Sequence, residues 1–88
     1  MSFRFDPKKA GSNRRKHGVS LSGAEGVFAD PLSRRVPDPD AEGEERWIGI
    51  GLGNAGEILV VVYTLRGEEI RLISARRATK HEAKTYAG

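Results

Sequence analysis

With 88 residues and 9.6 kDa, the chain has room for one small domain with a limited core and little margin of stability. It holds no cysteine and two well-separated histidines, which leaves no disulfide framework, thiolate centre or histidine metal site, and no metal or cofactor is expected. The formal charge is +3 and the pI near 9.6; the longest apolar run, Ile58 to Val62 extended by Tyr63, is far too short to span a bilayer and no signal-peptide core opens the chain, so a soluble, cytoplasmic protein is expected.

Ser2-Phe3-Arg4-Phe5 alternates as a short first strand, with Phe3 and Phe5 on the buried side. Asp6-Pro7 then opens a helix: Asp6 is a good N-cap, and the missing amide of Pro7 costs nothing at the first helical position. The helix should run to about His17, since Lys16 and His17 suit the negative end of its dipole and Gly18 can take the left-handed stop. Its inner side is thin, made of Ala10, Asn13, Arg14 and His17. A second helix follows over Val19 to Phe28, capped by Ser20 or, with Glu25 as box partner, by Ser22. Leu21, Ala24, Val27 and Phe28 form its core stripe. Asp30-Pro31 ends it, and Leu32 to Val36 is a second strand before the loop Pro37-Asp38-Pro39-Asp40.

From Glu45 the period becomes two, with Ile48, Ile50 and Leu52 on one side and Trp47, Gly49 and Gly51 on the other. No helix follows Gly49-Ile50-Gly51-Leu52-Gly53, so this is a glycine-bearing strand with room above it and not a phosphate loop. Gly53-Asn54-Ala55-Gly56 is a turn, and Glu57 to Leu65 returns antiparallel. Ile58 to Val62 is apolar on both sides, the mark of a central strand. Arg66-Gly67 closes a further hairpin into Glu68 to Ser74, where Ile70, Leu72 and Ser74 point one way and Arg71, Ile73 and Ala75 the other. Thr79-Lys80-His81-Glu82 is a capping box that starts a terminal helix, with Arg76 and Arg77 at the junction. The class is α+β, a single domain over residues 1–88: two N-terminal helices packed on an antiparallel sheet, then a short C-terminal helix.

Charge is segregated along the chain. Residues 1–35 hold eight cations and three anions, residues 36–57 six anions and a single arginine, and the remainder six cations and three anions. Basic ends brought together by folding would suit a polyanion such as nucleic acid.

Phe5-Asp6-Pro7 with Lys9, Asn13 and Lys16-His17-Gly18-Val19-Ser20, then Val27-Phe28-Ala29-Asp30-Pro31, Glu45-Arg46-Trp47 with Gly51, and Arg71-Leu72-Ile73-Ser74-Ala75-Arg76-Arg77-Ala78 with Glu82 and Tyr86, resembles the BrnT toxin family nearly end to end and in the same order. Phe5 stands where tryptophan is expected, Arg14 where an apolar residue is common and Leu21 where an aromatic is common, which thins the packing of the first helix. The resemblance implies a RelE-like ribonuclease fold with helices on one face of the sheet and the other open to RNA. It also implies a type II toxin that halts translation. Its partner would be a BrnA-like ribbon-helix-helix antitoxin in a 2:2 complex, which alone binds promoter DNA.

RNA cleavage without a metal requires a base for the 2′-hydroxyl, cations for charge developing on phosphorus, and an acid for the leaving oxygen. Arg76 and Arg77, or these two with Arg71, suit the phosphate, because a planar fork matches it better than an ammonium does. Lys8, Lys9 and Lys16 would hold the RNA backbone, His17 or His81 would transfer protons, Glu82 would act as base if the cap does not engage it, and Tyr86 would stack on a base. Each has a plain alternative: a dipole-stabilised histidine at a helix end, a capping glutamate, a packing tyrosine, and lysines on a wet helix side. The competing functions are a nucleic-acid-binding module without catalysis and a domain whose basic patch serves only an acidic antitoxin.

Overall fold

The elements of the computed structural model are Ser2–Arg4 (β1), Pro7–His17 (α1), the 3-10 helix Ser22–Phe28 (η1), Arg34–Pro37 (β2), Arg46–Leu52 (β3), Ile58–Arg66 (β4), Glu69–Arg77 (β5) and Lys80–Ala87 (α2). The structure describes residues 2–43 and 45–87; Glu44, one of the anions of the acidic middle, lies outside them. The strands form one sheet in the order β1-β5-β4-β3-β2. Three of its pairings are antiparallel as expected, but β1 lies parallel to β5, so the sheet is mixed and the antiparallel expectation is corrected there. The first and last strands become neighbours only once the chain has folded, and no local pattern in Ser2 to Phe5 states that pairing.

Local chemistry accounts for the ends of α1. Asp6 accepts a hydrogen bond from the Lys8 amide at 2.9 Å, Pro7 takes the first turn, and Gly18 closes the helix at φ 68° with its N–H donating to the Arg14 carbonyl. The second helix departs from expectation in type, being 3-10, while Ser20, one of the two expected caps, accepts the Gly23 amide through its Oγ at 3.4 Å. The Asn54 amide of the β3–β4 turn donates to the Gly23 carbonyl at 2.8 Å, so that an acceptor which would serve an α-helical turn is engaged from outside. Gly26 makes this approach possible, since a Cβ there would lie 2.6 Å from Asn54 Oδ1.

α1 and η1 cover one side of the sheet, where Leu21, Ala24 and Val27 pack on Leu59, Val61, Tyr63, Ile70, Leu72 and Ala75. Gly51 allows η1 to settle, because a Cβ there would come within 3.1 Å of Val27 Cγ1; the room above the glycine strand is filled by a helix. Phe28 meets Tyr63 edge-on, with centroids 4.8 Å apart. Burial pushes the Tyr63 phenol up, opposed by the nearby Arg35 guanidinium.

Two features of β5 escape any local rule. β1 pairs only with Glu69 to Arg71, which leaves the rest of that edge open, and the buried Asn13 side chain takes the missing neighbour's part. Its Nδ2 donates to the Ala75 and Val19 carbonyls at 2.9 Å each, and its Oδ1 accepts from the Ala75 amide at 3.0 Å. An asparagine inside a helix and on its inner stripe is itself the signal of such a backbone partner. The second feature is a bulge: Val62 pairs with Ser74 but Tyr63 with Leu72, so Ile73 is an extra residue. Strict alternation fails from that point on, and Ala75 joins Ile70 and Leu72 in the core.

Candidate active site

The bulge decides which cations share a side. Arg71 and Arg76 are five residues apart and would oppose each other on a regular strand; with Ile73 inserted, they pair with Thr64 and Val60 and both face the side that α1 and η1 leave uncovered. The four-residue separation of those partners sets them about 13 Å apart, at roughly 3.3 Å per residue. Arg77 pairs with Leu59 and turns to the other side, where its Nη1 would lie 3.7 Å from a Cβ at Gly18. β5 ends at Arg77 and α2 starts at Lys80, so both arginines lie at the strand–helix junction as expected, but their guanidiniums diverge because strand residues alternate.

Arg76 is gripped along one edge. Its Nη1 donates to Glu82 Oε1 at 2.7 Å and its Nη2 to Oε2 at 2.8 Å, a bidentate pair. Glu82 is also the capping partner expected from the sequence, with Oε1 accepting from the Thr79 amide at 2.9 Å and the Glu82 amide donating to Thr79 Oγ1 at 3.2 Å. Arg76 first, then the Thr79 amide, holds the Glu82 carboxyl at about 2, well below the usual carboxylate range. The same hydrogen bond pushes Arg76 up, against its partial burial. A carboxylate of that acidity is a weak proton acceptor near neutral pH, and what it does here is orient an arginine. Nε and the second Nη2 hydrogen, the opposite edge of the guanidinium, have no hydrogen-bond partner among the described residues and can take up an anion.

α2 crosses the uncovered side and is fastened at its far end by Tyr86, whose hydroxyl donates to Asp30 Oδ2 at 2.5 Å. The same oxygen accepts from the Leu52 amide and Oδ1 from the Leu32 amide, both at 2.9 Å. Tyr86 first, then these amides, draws the Asp30 carboxyl down, and Asp30 raises the Tyr86 phenol. Asp30 therefore ties α2 to the η1–β2 turn and to the end of β3. The sequence marked Asp30 as a helix end and as part of the stretch Val27-Phe28-Ala29-Asp30-Pro31 but assigned it no such role; an aspartate that can accept from the amide two residues on, as in an Asx turn, was the available hint.

Between α2 and β2 lies a groove of about 340 Å³ floored by Ile48, Ile50 and Val60, with Arg34 and Val36 on one bank and Glu82 and Thr85 on the other. At the opposite end of β5, a cleft of about 280 Å³ brings Lys9 together with Arg4, Phe5, Arg71 and Ile73. Lys16 lies two turns beyond Lys9 on the same side of α1, and Lys8 is exposed beside it. Lys9 thus meets Arg71, whereas Arg76 borders the groove through Glu82. The histidines are held apart on different elements: His17 ends α1 next to Gly18 and Arg77, and exposed His81 precedes Glu82 in the first turn of α2. Among the described residues no three His, Cys, Asp or Glu side chains are grouped to hold a metal ion, and no helix is long and apolar enough to cross a membrane.

Comparison with known proteins gives two findings. The profile of the family described as "Ribonuclease toxin, BrnT, of type II toxin-antitoxin system" matches residues 5–82. The crystal structure of the Brucella abortus ribonuclease toxin BrnT superposes with a TM-score of 0.73 at 26% sequence identity, over 91% of this chain and 99% of that one. No curated protein matches.

Proposed function

The chain belongs to the BrnT ribonuclease toxins of type II toxin–antitoxin systems, and from that premise we propose that it cuts RNA on the uncovered side of the sheet, with Arg76 receiving the scissile phosphate. The observation that carries this reading is the grip of Glu82 on one edge of Arg76, which leaves the other edge directed and charged. A guanidinium already held in place stabilises charge developing on phosphorus without reorganising at the moment of reaction. In this reading Lys8, Lys9, Lys16 and Arg71 guide the RNA backbone, and His81, on the turn that carries Glu82, moves the protons; His17, which ends α1 beside Gly18 and Arg77 on the other side of the sheet, takes no part. Glu82 positions Arg76, and Tyr86 holds α2 on the sheet. Arg77, on the opposite side, lies beside Gly18 at the end of α1.

The finer reading is a RelE-like, metal-independent ribonuclease that stops translation in the cytoplasm. A BrnA-like ribbon-helix-helix antitoxin neutralises it in a 2:2 assembly. The apolar groove beside Arg34 supports a covering partner, which would remove both exposed apolar surface and access to Arg76.

Purified protein incubated with single-stranded RNA tests the reading. Cleavage by the unmodified chain and a loss of about 10²–10³-fold in Arg76→Ala, at unchanged circular dichroism, are expected. An unaltered rate removes Arg76 from the chemistry. Steeply salt-dependent binding with no product assigns the protein to the non-catalytic nucleic-acid-binding class instead.

A further inference from the structure

We propose that the cleft between β1, α1 and β5 is a second phosphate subsite, which holds the RNA strand a few nucleotides from the Arg76 position through Arg4, Lys9 and Arg71. The proposal rests on the ribonuclease reading and adds to it a defined path for the substrate. Parallel pairing sets Arg4 directly beside Arg71. Left alone, two adjacent guanidiniums would repel each other. Glu69 lies between them, 3.0 Å from Arg4 Nε and 3.6 Å from Arg71 Nη2, and holds both at the rim while 71% of the Arg4 side chain and 45% of the Arg71 side chain stay in solvent. Lys9 enters the same cleft from the first turn of α1, so cations from three elements converge on one opening, whose lining also includes Asp6, its Oδ1 engaged by the Lys8 amide as the cap of α1. Half-buried Phe5 and Ile73 give the cleft an apolar wall against which a base can lie.

The path follows from the bulge. Because Ile73 rephases β5, the Arg71 rim of this cleft and the free edge of Arg76 open on one side of the sheet, and a strand lying along β5 can touch both. Had β5 been regular, a nucleic acid bound at Arg76 could not have reached Arg71 without rounding the sheet.

The test is binding of a single-stranded 2′-O-methyl RNA decamer, which lacks the hydroxyl needed for cleavage, measured between 50 mM and 300 mM salt. Each phosphate contact on a single strand contributes about 0.7 to the slope of log affinity against log salt. Lys9→Ala should therefore shallow the slope by about 0.7, and Arg4→Ala with Lys9→Ala by about 1.4. Arg14→Ala, which removes an equal charge from another side of α1, should leave it unchanged. Lys9→Ala places a better helix former at an exposed position, so it should fold. If the unmodified protein cuts RNA and the Lys9 variant keeps the full slope, or if Arg14→Ala lowers it as much, the subsite is wrong and the ribonuclease reading stands. If the unmodified protein neither cuts RNA nor binds the decamer, both fall together.

Discussion

The two sides of the sheet are both apolar and are closed by different forces. Under α1 and η1, Leu59, Val61, Tyr63, Leu72 and Ala75 are at most 1% exposed, and what holds that side is area removed from water. Across the other side α2 is fastened chiefly by two polar latches, Glu82 on Arg76 and Tyr86 on Asp30, while Val36 and Leu52 remain 55% and 38% exposed. The first side carries the stability of the domain. The second buries Val60 and Thr64 but leaves charge and apolar surface open to solvent.

The sharpest way to break that contrast is truncation on each side. Leu59→Ala should cost about 2–5 kcal/mol in urea unfolding, and Ile50→Ala, half-buried on the uncovered side, clearly less. Equal losses would mean that the two sides are closed alike. Next comes Asn13→Ala, which strips partners from the buried Ala75 amide and carbonyl and should destabilise by about 2–3 kcal/mol. A loss below about 0.5 kcal/mol would show that water replaces the asparagine at that edge.

The smallest effect concerns the latch. The folded-state pKa of Glu82 lies at about 2, below the ordinary 4.5, so its contribution is fully present above pH 4.5 and is lost as the pH falls from there toward 2. The pair is partly exposed, which limits that contribution to below about 1 kcal/mol. A carbon-13 titration of the Glu82 carboxyl should therefore have its midpoint near 2, and Glu82→Gln should loosen α2 without unfolding the sheet. A midpoint near 4.5 would mean that Arg76 is not gripped in solution.

Much of this was legible before folding. Asp6, Pro7 and Gly18 mark the ends of α1 by their own backbone chemistry, and Thr79 with Glu82 marks the start of α2. Gly67 marks the last hairpin turn at φ 61°. The candidate site was legible as a set of residue types but not as an arrangement. Arg76 and Arg77 are adjacent in sequence and sit on opposite sides, while Arg71 and Arg76 read as opposed and share one.

By itself the sequence determined what is local: caps, turns, the alternation of each strand up to its first irregularity, and the segregation of charge into basic ends and an acidic middle. Those depend on interactions within a few residues, which a short window contains. Only the tertiary structure decided the parallel seat of β1, the service of Asn13 to an open edge, the 3-10 course of η1 and the inserted Ile73. Each of these is settled by partners far along the chain, Asn13 and Ala75 being 62 residues apart, and one unpaired residue in a strand is enough to send every later side chain to the other face.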